Sequence, residues 1–293
     1  MFKSLRLFAA LSVLVAAAAL CAPATHAQKS GQQQPQTQDK RPPKKKLQAS
    51  ANFAQYAGRD ASNRLIAGGA TRGILEDAAR LMREGAEHNE AGRHAEAIQA
   101  FVKVTGLTPD SALAHYNLGV AYEDAGRRAE AVASYRKAAA LANDKNLLAV
   151  AHYNLGNVLA SDEKYAEAVA AYRKVIELLP RESVAHYNLA LGLAGEGQLE
   201  EAVRAFGEAI RLKPDYAEAH FNLGIAQGKL ERYEEAASSF REAVRLKPDY
   251  AEARYNLGLV LLALDDQTTA QAEVRALENL KPELAARLKS FGN

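Results

Sequence analysis

The 293-residue chain contains a single cysteine, Cys21, and no tryptophan. One thiol has no partner within the chain, which excludes intrachain disulfides and cysteine-built metal sites. The short patterns that carry chemistry are missing as well: there is no G-x-S-x-G, no H-E-x-x-H and no P-loop. The glycine-rich break Gly68-Gly69-Ala70-Thr71-Arg72-Gly73 lacks the strand that a phosphate cradle needs. Paired carboxylates such as Glu200-Glu201 and Glu234-Glu235 lie near turns and read as solvated faces rather than acid–base pairs. No catalytic residue, cofactor or metal is therefore expected, and the chain does not read as an enzyme. A basic stripe is also lacking along residues 63–293, which carry 28 basic and 33 acidic groups, a net of −5. Nucleic acid is a poor candidate partner on that ground.

The amino terminus concerns address. Lys3 and Arg6 precede the apolar run Leu7–Leu20, short for a membrane span, which is followed by the small residues of Ala22-Pro23-Ala24 and Thr25-His26-Ala27. Residues 1–27 read as a cleaved Sec-type signal peptide, so the mature protein is expected in the periplasm or outside the cell. Cleavage after Ala24 or Ala27 removes Cys21 and leaves no thiol. Lipid attachment at Cys21 is the competing reading, and Leu20 counts against it, because the lipoprotein pattern wants a small residue there. Residues 28–62 are rich in Gln, Pro, Lys and Ser and bury too little apolar surface to offset their ordering entropy. They are expected to form a disordered linker with seven basic and two acidic groups, a net of +5. The run Arg41-Pro42-Pro43-Lys44-Lys45-Lys46 could rest weakly on an anionic envelope surface through Lys44, Lys45 and Lys46; solvation of the linker is the favoured reading. Residues 63–77 are the lead-in to a repeat array.

In that array a 34-residue segment recurs. Six units align: Ala78–Ser111, Ala112–Leu148, Ala149–Glu182, Ser183–Tyr216, Ala217–Tyr250 and Ala251–Leu284. The eighth position is small (Gly85, Gly119, Gly156, Ala190, Gly224, Gly258) and the twentieth is alanine (Ala97, Ala131, Ala168, Ala202, Ala236, Ala270). The twenty-fourth is large: Phe101, Tyr135, Tyr172, Phe206, Phe240 and Val274. Small residues let two helices approach and large ones fill what remains. Proline closes five units (Pro109, Pro180, Pro214, Pro248, Pro282), where a helix must stop. The second unit runs three residues long and ends in Ala142-Asn143-Asp144-Lys145-Asn146, which predicts a longer turn. Glu84, standing where other units carry leucine, and Val274 and Gln267 fit terminal units with one face in water. Beyond Pro282, Leu284, Leu288 and Phe291 fall at helical spacing, predicting a helix that caps the open end, with 285–293 its remainder and the C-terminus.

This spacing resembles the tetratricopeptide repeat, in an exported bacterial form, and covers about seven-tenths of the chain. The resemblance implies an all-α, right-handed superhelical solenoid of six stacked helix pairs plus a C-terminal capping helix. It also implies a concave face lined by the first helix of each pair. There the sixth position reads Arg83, Asn117, Asn154, Asn188, Asn222, Asn256, and the fifth carries Tyr116, Tyr153, Tyr187, Phe221 and Tyr255. Amides offer both donor and acceptor, so a row of them suits the backbone of an extended peptide. The ninth position (Val120, Asn157, Leu191, Ile225, Leu259) adds apolar contact. Packing between units is an equally weighted reading of the same rows. Cations that clamp a terminal carboxylate in some members are absent from the matching positions. His115, His152, His186 and His220 recur one per unit, a helix spacing or more apart, and are too far apart to share an ion. The expected function is a protein- or peptide-binding scaffold of the envelope. The alternatives are a self-assembling structural component and an accessory subunit of a separately encoded enzyme. Oligomeric state is not readable from the sequence.

Overall fold

Periodic small residues on facing helices demand an all-helical chain, and the computed structural model, which describes residues 72–292, contains only α-helices as regular elements among them. In order these are α1 (Arg72–Glu90), α2 (His94–Leu107), α3 (Ala112–Asp124), α4 (Arg128–Leu141), α5 (Lys145–Ser161), α6 (Tyr165–Leu178), α7 (Ser183–Gly195), α8 (Leu199–Leu212), α9 (Ala217–Lys229), α10 (Tyr233–Leu246), α11 (Ala251–Ala263), α12 (Gln267–Leu280) and α13 (Pro282–Gly292). The expected signal, the expected linker and residues 63–71 of the expected lead-in lie outside the described residues. None of the described helices is long and apolar enough to cross a membrane. Contacts group the described residues into two compact units, 72–162 with 177–179, and 163–176 with 180–292.

Within each unit the packing follows from one-sided second helices. In α8 the buried residues are Ala202, Ala205, Phe206 and Ala209, an i, i+3, i+4, i+7 stripe, and the charged Glu200, Glu201, Arg204, Glu208 and Arg211 lie off it. Ala97, Ala131, Ala202 and Ala236 are wholly buried. Opposite them the first helix comes close. A Cβ added to Gly119 would lie 2.7 Å from the Tyr135 ring, and one on Gly224 2.8 Å from the Phe240 ring. The aromatic of the second helix thus lies flat on a glycine of the first, an approach that any side chain would prevent. In the carboxy-terminal unit the pairs share core clusters: Phe206 packs with Ala190, Leu193 and Ala226, and Phe240 with Phe221, Leu257 and Val260.

Inside each pair, the turn places one residue in the left-handed region. Gly92, Gly126 and Gly197 take φ between 73° and 79°, and Glu163, Glu231 and Asp265 between 58° and 63°. All six fall at the fifteenth position, where glycine avoids the Cβ cost that the other three bear.

Two boundaries differ from expectation. The additional residues of the second unit do not lengthen its turn: only Ala142–Asp144 separate α4 from α5. They enter the helix instead, making α5 17 residues long, and Asp144 caps it by accepting from the Asn146 and Leu147 amides at 3.0 and 2.8 Å. A side-chain cap of this kind satisfies amides that the first turn leaves without an intrahelical partner, so the helix can start at Lys145. At the amino end α1 has 19 residues against 13 in α3, and it begins at Arg72, within the lead-in.

The last helix works as a substitute. Val274 stands where other units have an aromatic, and the contact on Gly258 is made by Leu288 of α13. Leu288 joins Tyr255, Leu259 and Leu277 in one core, with Leu284 and Phe291 packed against it.

Candidate binding face

The fifth position of one pair lies beside the sixth position of the next, and hydrogen bonds join them. Asn154 donates its side-chain N–H to the Tyr116 hydroxyl at 3.1 Å, and Asn222 to the Tyr187 hydroxyl at 3.0 Å. Asn117 points its amide at the Met82 sulfur, 4.0 Å away, and Met82 is the fifth-position residue of the first pair. In these three places the amide of one repeat therefore tethers the fifth residue of the preceding one. Burial pushes the Tyr116 phenol up to about 12, with the Asn154 amide acting against it. Tyr135, which donates to Glu123 at 2.8 Å, is also raised, first by burial and then by that carboxylate. Both hydroxyls stay protonated at neutral pH and keep their hydrogen bonds.

The relay fails at one helix. Phe221 has no hydroxyl, and Asn256 donates back to the Glu252 carbonyl at 2.8 Å. Its Oδ1 is buried with no partner, as is the hydroxyl of Tyr255. Asn256 is 2% exposed and Tyr255 3%. The helix that packs beyond Tyr255 is α13, which brings the Arg287 guanidinium to 5.7 Å above its ring rather than an asparagine to its hydroxyl.

Burial divides the expected binding residues. Tyr153, Phe221, Tyr255 and Asn256 are buried, so a ligand lying along the helices does not reach them; this corrects the expectation that the whole row offers contact. Fifth-position aromatics pack sideways, whether buried like Phe221 or half-buried like Tyr187. Phe221 is 5.8 Å from Phe240 and 4.8 Å from Tyr250, and Tyr187 is 5.8 Å from Phe206 and 4.9 Å from Tyr216, centroid to centroid. Such tilted pairs are the usual favourable arrangement for aromatic rings. Tyr116, Asn117, Asn154, Tyr187, Asn188 and Asn222 remain half-buried and within reach of a ligand. The ninth position is equally uneven: Leu191 is 38% exposed, whereas Ile225 and Leu259 are buried. Val184, Tyr187, Asn188 and Leu191 thus form an i, i+3, i+4, i+7 stripe of accessible apolar and amide groups on α7. Periodicity alone gives no way to tell Leu191 from Ile225, because both are aliphatic at one repeat position.

The recurring histidines have a different task. His115, His186 and His220 place Nε2 at 2.9, 3.0 and 3.1 Å from the carbonyls of Pro109, Pro180 and Pro214, each of which closes the preceding repeat. A carbonyl only accepts, so Nε2 carries the proton. In the last pair Arg254 takes the position and donates Nε–H to the Pro248 carbonyl at 2.9 Å, while pairing with the half-buried Glu273 at 2.9 Å. Among the described residues no group of three metal-ligating side chains gathers. Glu201 pairs with Arg173 at 3.1 Å on the surface, and Glu235 accepts from Gln227, whose oxygen receives the buried Ser239 hydroxyl. Glu235 therefore belongs to a packed network rather than to a purely solvated face.

Comparison with known proteins is specific about the family. None of the curated proteins matches the sequence. Among solved structures, YrrB, titled a TPR protein with an unusual peptide-binding site, is 25% identical with a TM-score of 0.57, covering 66% of this chain and all of its own. PilF of Pseudomonas aeruginosa is 21% identical with a TM-score of 0.59, over 75% of this chain and 99% of its own. MamA of Desulfovibrio magneticus RS-1 is 23% identical with a TM-score of 0.55, over 59% of this chain and 97% of its own. Two family models match the sequence, one described as TPR repeat over residues 85–126, 193–231 and 228–265, the other as tetratricopeptide repeat over 110–181. Together they span more than half of the chain, which belongs to the tetratricopeptide repeat family.

Proposed function

We propose that the chain is a non-enzymatic scaffold of the bacterial cell envelope that holds a protein, or an extended segment of one, against the first helices of its repeats. The observation that carries this reading is the accessible stripe Val184, Tyr187, Asn188 and Leu191 on α7. Exposed leucine beside an amide at helical spacing offers burial and backbone hydrogen bonding together, without reading sequence closely. The likeness to YrrB, whose title names a peptide-binding site, supports a peptide as the ligand class. Export rests on Lys3, Arg6 and the run Leu7–Leu20.

The test starts with capture of a partner from envelope extracts on the mature protein, followed by titration calorimetry of variants. Asn188→Ala is expected to weaken binding by about 0.5–1.5 kcal/mol, the net worth of a hydrogen bond. Leu191→Ala is expected to cost about 1–2 kcal/mol through lost apolar burial. Glu201→Ala, at a surface ion pair, should leave affinity within about 0.5 kcal/mol of the parent. Unchanged affinity for both α7 variants, with losses at Glu201 or on α13 instead, would overturn the proposal.

A further inference from the structure

Accessible apolar and amide groups on the first helices are not confined to α7. On α3, Leu113, Tyr116, Asn117 and Val120 repeat the i, i+3, i+4, i+7 spacing, and all four are half-buried. This helix packs between α1 and α5 inside the amino-terminal compact unit, so described helices flank it on both sides. Of these three, only α3 places accessible aliphatic side chains larger than alanine at both the second and ninth positions: α1 has Ala79 and Ala86, and α5 has the buried Val150 and the polar Asn157. The stripe also ends differently from that of α7. Asp124 is exposed and falls on the face of Leu113, about three turns on and one turn beyond Val120, where α7 has Gly195. At this thirteenth position the units read Glu90, Asp124, Ser161, Gly195, Lys229 and Ala263, which confines carboxylates to the first two. The Asp124 carboxylate is held in place: Asn89 of α1 donates Nδ2–H to it at 2.8 Å, and His94 Nδ1 stands 3.0 Å from the Asn89 oxygen. That oxygen accepts, so His94 carries its proton on Nδ1. A carboxylate has about four lone-pair positions, which leaves room for a donor besides Asn89. The arginines nearest in sequence turn elsewhere, Arg127 to Glu130 at 2.7 Å, Arg128 to Asp162 at 3.4 Å and Arg93 to His88 at 2.9 Å.

We propose that α3 is a second docking stripe and that it takes a basic segment of a partner protein, with an aliphatic side chain laid on Leu113 and Val120 and a lysine or arginine on Asp124. The proposal rests on the reading that first helices hold a ligand, and it uses other residues in the other compact unit. Charge complementarity selects the occupant: a fixed, exposed carboxylate closing an apolar stripe favours a cation over an anion. Lysine and arginine suit the place doubly, because their apolar stems cover a neighbour such as Val120 while the charged head stays at the carboxylate. Geometry sets the spacing in the ligand. Val120 and Asp124 are about 6 Å apart along the helix. Two residues of extended chain cover about the same length, and their side chains point to one side. The ligand pattern is therefore an aliphatic residue and a basic one separated by a single residue.

Fluorescence anisotropy with labelled eight-residue peptides on the full chain tests this. A probe repeating Leu-Ser-Lys-Ser is expected to bind about tenfold more tightly than the same peptide with glutamate for lysine, and the difference should shrink as salt is added. Asp124→Asn keeps an oxygen that accepts from Asn89 but removes the charge, and it should weaken the basic probe about tenfold. Val120→Ser should weaken both probes about fivefold through lost apolar contact. Glu96→Gln, exposed on α2, and Leu191→Ala on α7 should change the basic probe by less than about twofold. Equal binding of the two probes, or full affinity in Asp124→Asn, would overturn the assignment. Loss at Leu191→Ala without loss at Val120→Ser would overturn it too, by placing the basic segment on α7. The two stripes fail separately: Leu191→Ala with the captured partner tests α7, and Asp124→Asn with the basic probe tests α3.

Discussion

Asn256 and Tyr255 are neighbours in sequence, yet their orphaned atoms have separate causes. The Asn256 amide finds no hydroxyl beside it because the fifth residue of the preceding repeat is Phe221, whereas the Tyr187 and Tyr116 hydroxyls accept from Asn222 and Asn154; its oxygen is buried with no donor. The Tyr255 hydroxyl lacks one because the repeats stop and α13 carries no asparagine at the matching place. A buried polar atom left without a partner costs about 1–3 kcal/mol. A tyrosine hydroxyl at 221 brings a proton that can be donated to the orphaned oxygen, which should recover part of that cost. Phe221→Tyr is expected to raise stability by about 0.5–1.5 kcal/mol, read from the denaturant midpoint at unchanged slope. A loss of stability would mean that the new oxygen overpacks the core around Phe240 and never reaches Asn256. The same relay explains why the asparagine row was ambiguous in sequence. One residue type at one position serves as a tether between repeats in Asn154 and Asn222 and as a buried defect in Asn256.

At the scale of helices, the contact of a large side chain on a glycine recurs, and its last instance is made by a different element. Phe101, Tyr135 and Phe240 rest on Gly85, Gly119 and Gly224 from the second helix of their own pair, whereas Gly258 receives Leu288 from α13. Removing that side chain should therefore act like emptying a core. Leu288→Ala is expected to destabilise the chain by about 2–5 kcal/mol, with faster amide exchange in α11 and α12 and little change in α7 and α8, because repeats couple to their nearest neighbours. Uniform loss of protection along the chain would contradict that locality. Helix pairs, their register and the capping helix were legible because each rests on a periodic residue with one steric purpose. The added residues before Leu148 were not, since an insertion can enter a turn or a helix, and Asp144 as a cap decides it. Nor was the left-handed fifteenth position, where Glu163, Glu231 and Asp265 stand beside three glycines and hide the pattern. Within the candidate face, residue types were legible but accessibility was not, because Leu191 and Ile225 differ only in what packs over them.

For the molecule as a whole, charge is divided along the chain. Residues 28–62 carry a net of +5 and residues 63–293 a net of −5, so the overall +2, which includes Lys3 and Arg6, conceals two opposite parts. Packing in the helical part depends on alanine, glycine and aromatic contacts and uses no cysteine. Such a core does not depend on the redox state of its compartment, which is compatible with the proposed export and with a single thiol at Cys21. Cleavage after Ala24 or Ala27 would leave a mature protein beginning at Thr25 or Gln28, with no thiol and with the basic linker at its new amino terminus. Intact-mass spectrometry of the protein recovered from the envelope fraction is expected to show loss of the first 24 or 27 residues and no reaction with a thiol reagent. A mass that retains residues 1–20, or one that carries acyl chains on Cys21, would replace the cleaved signal with a retained or lipid-anchored one. In that case the repeats would work from the membrane surface, with the net +5 of the linker lying next to anionic headgroups rather than free in solution.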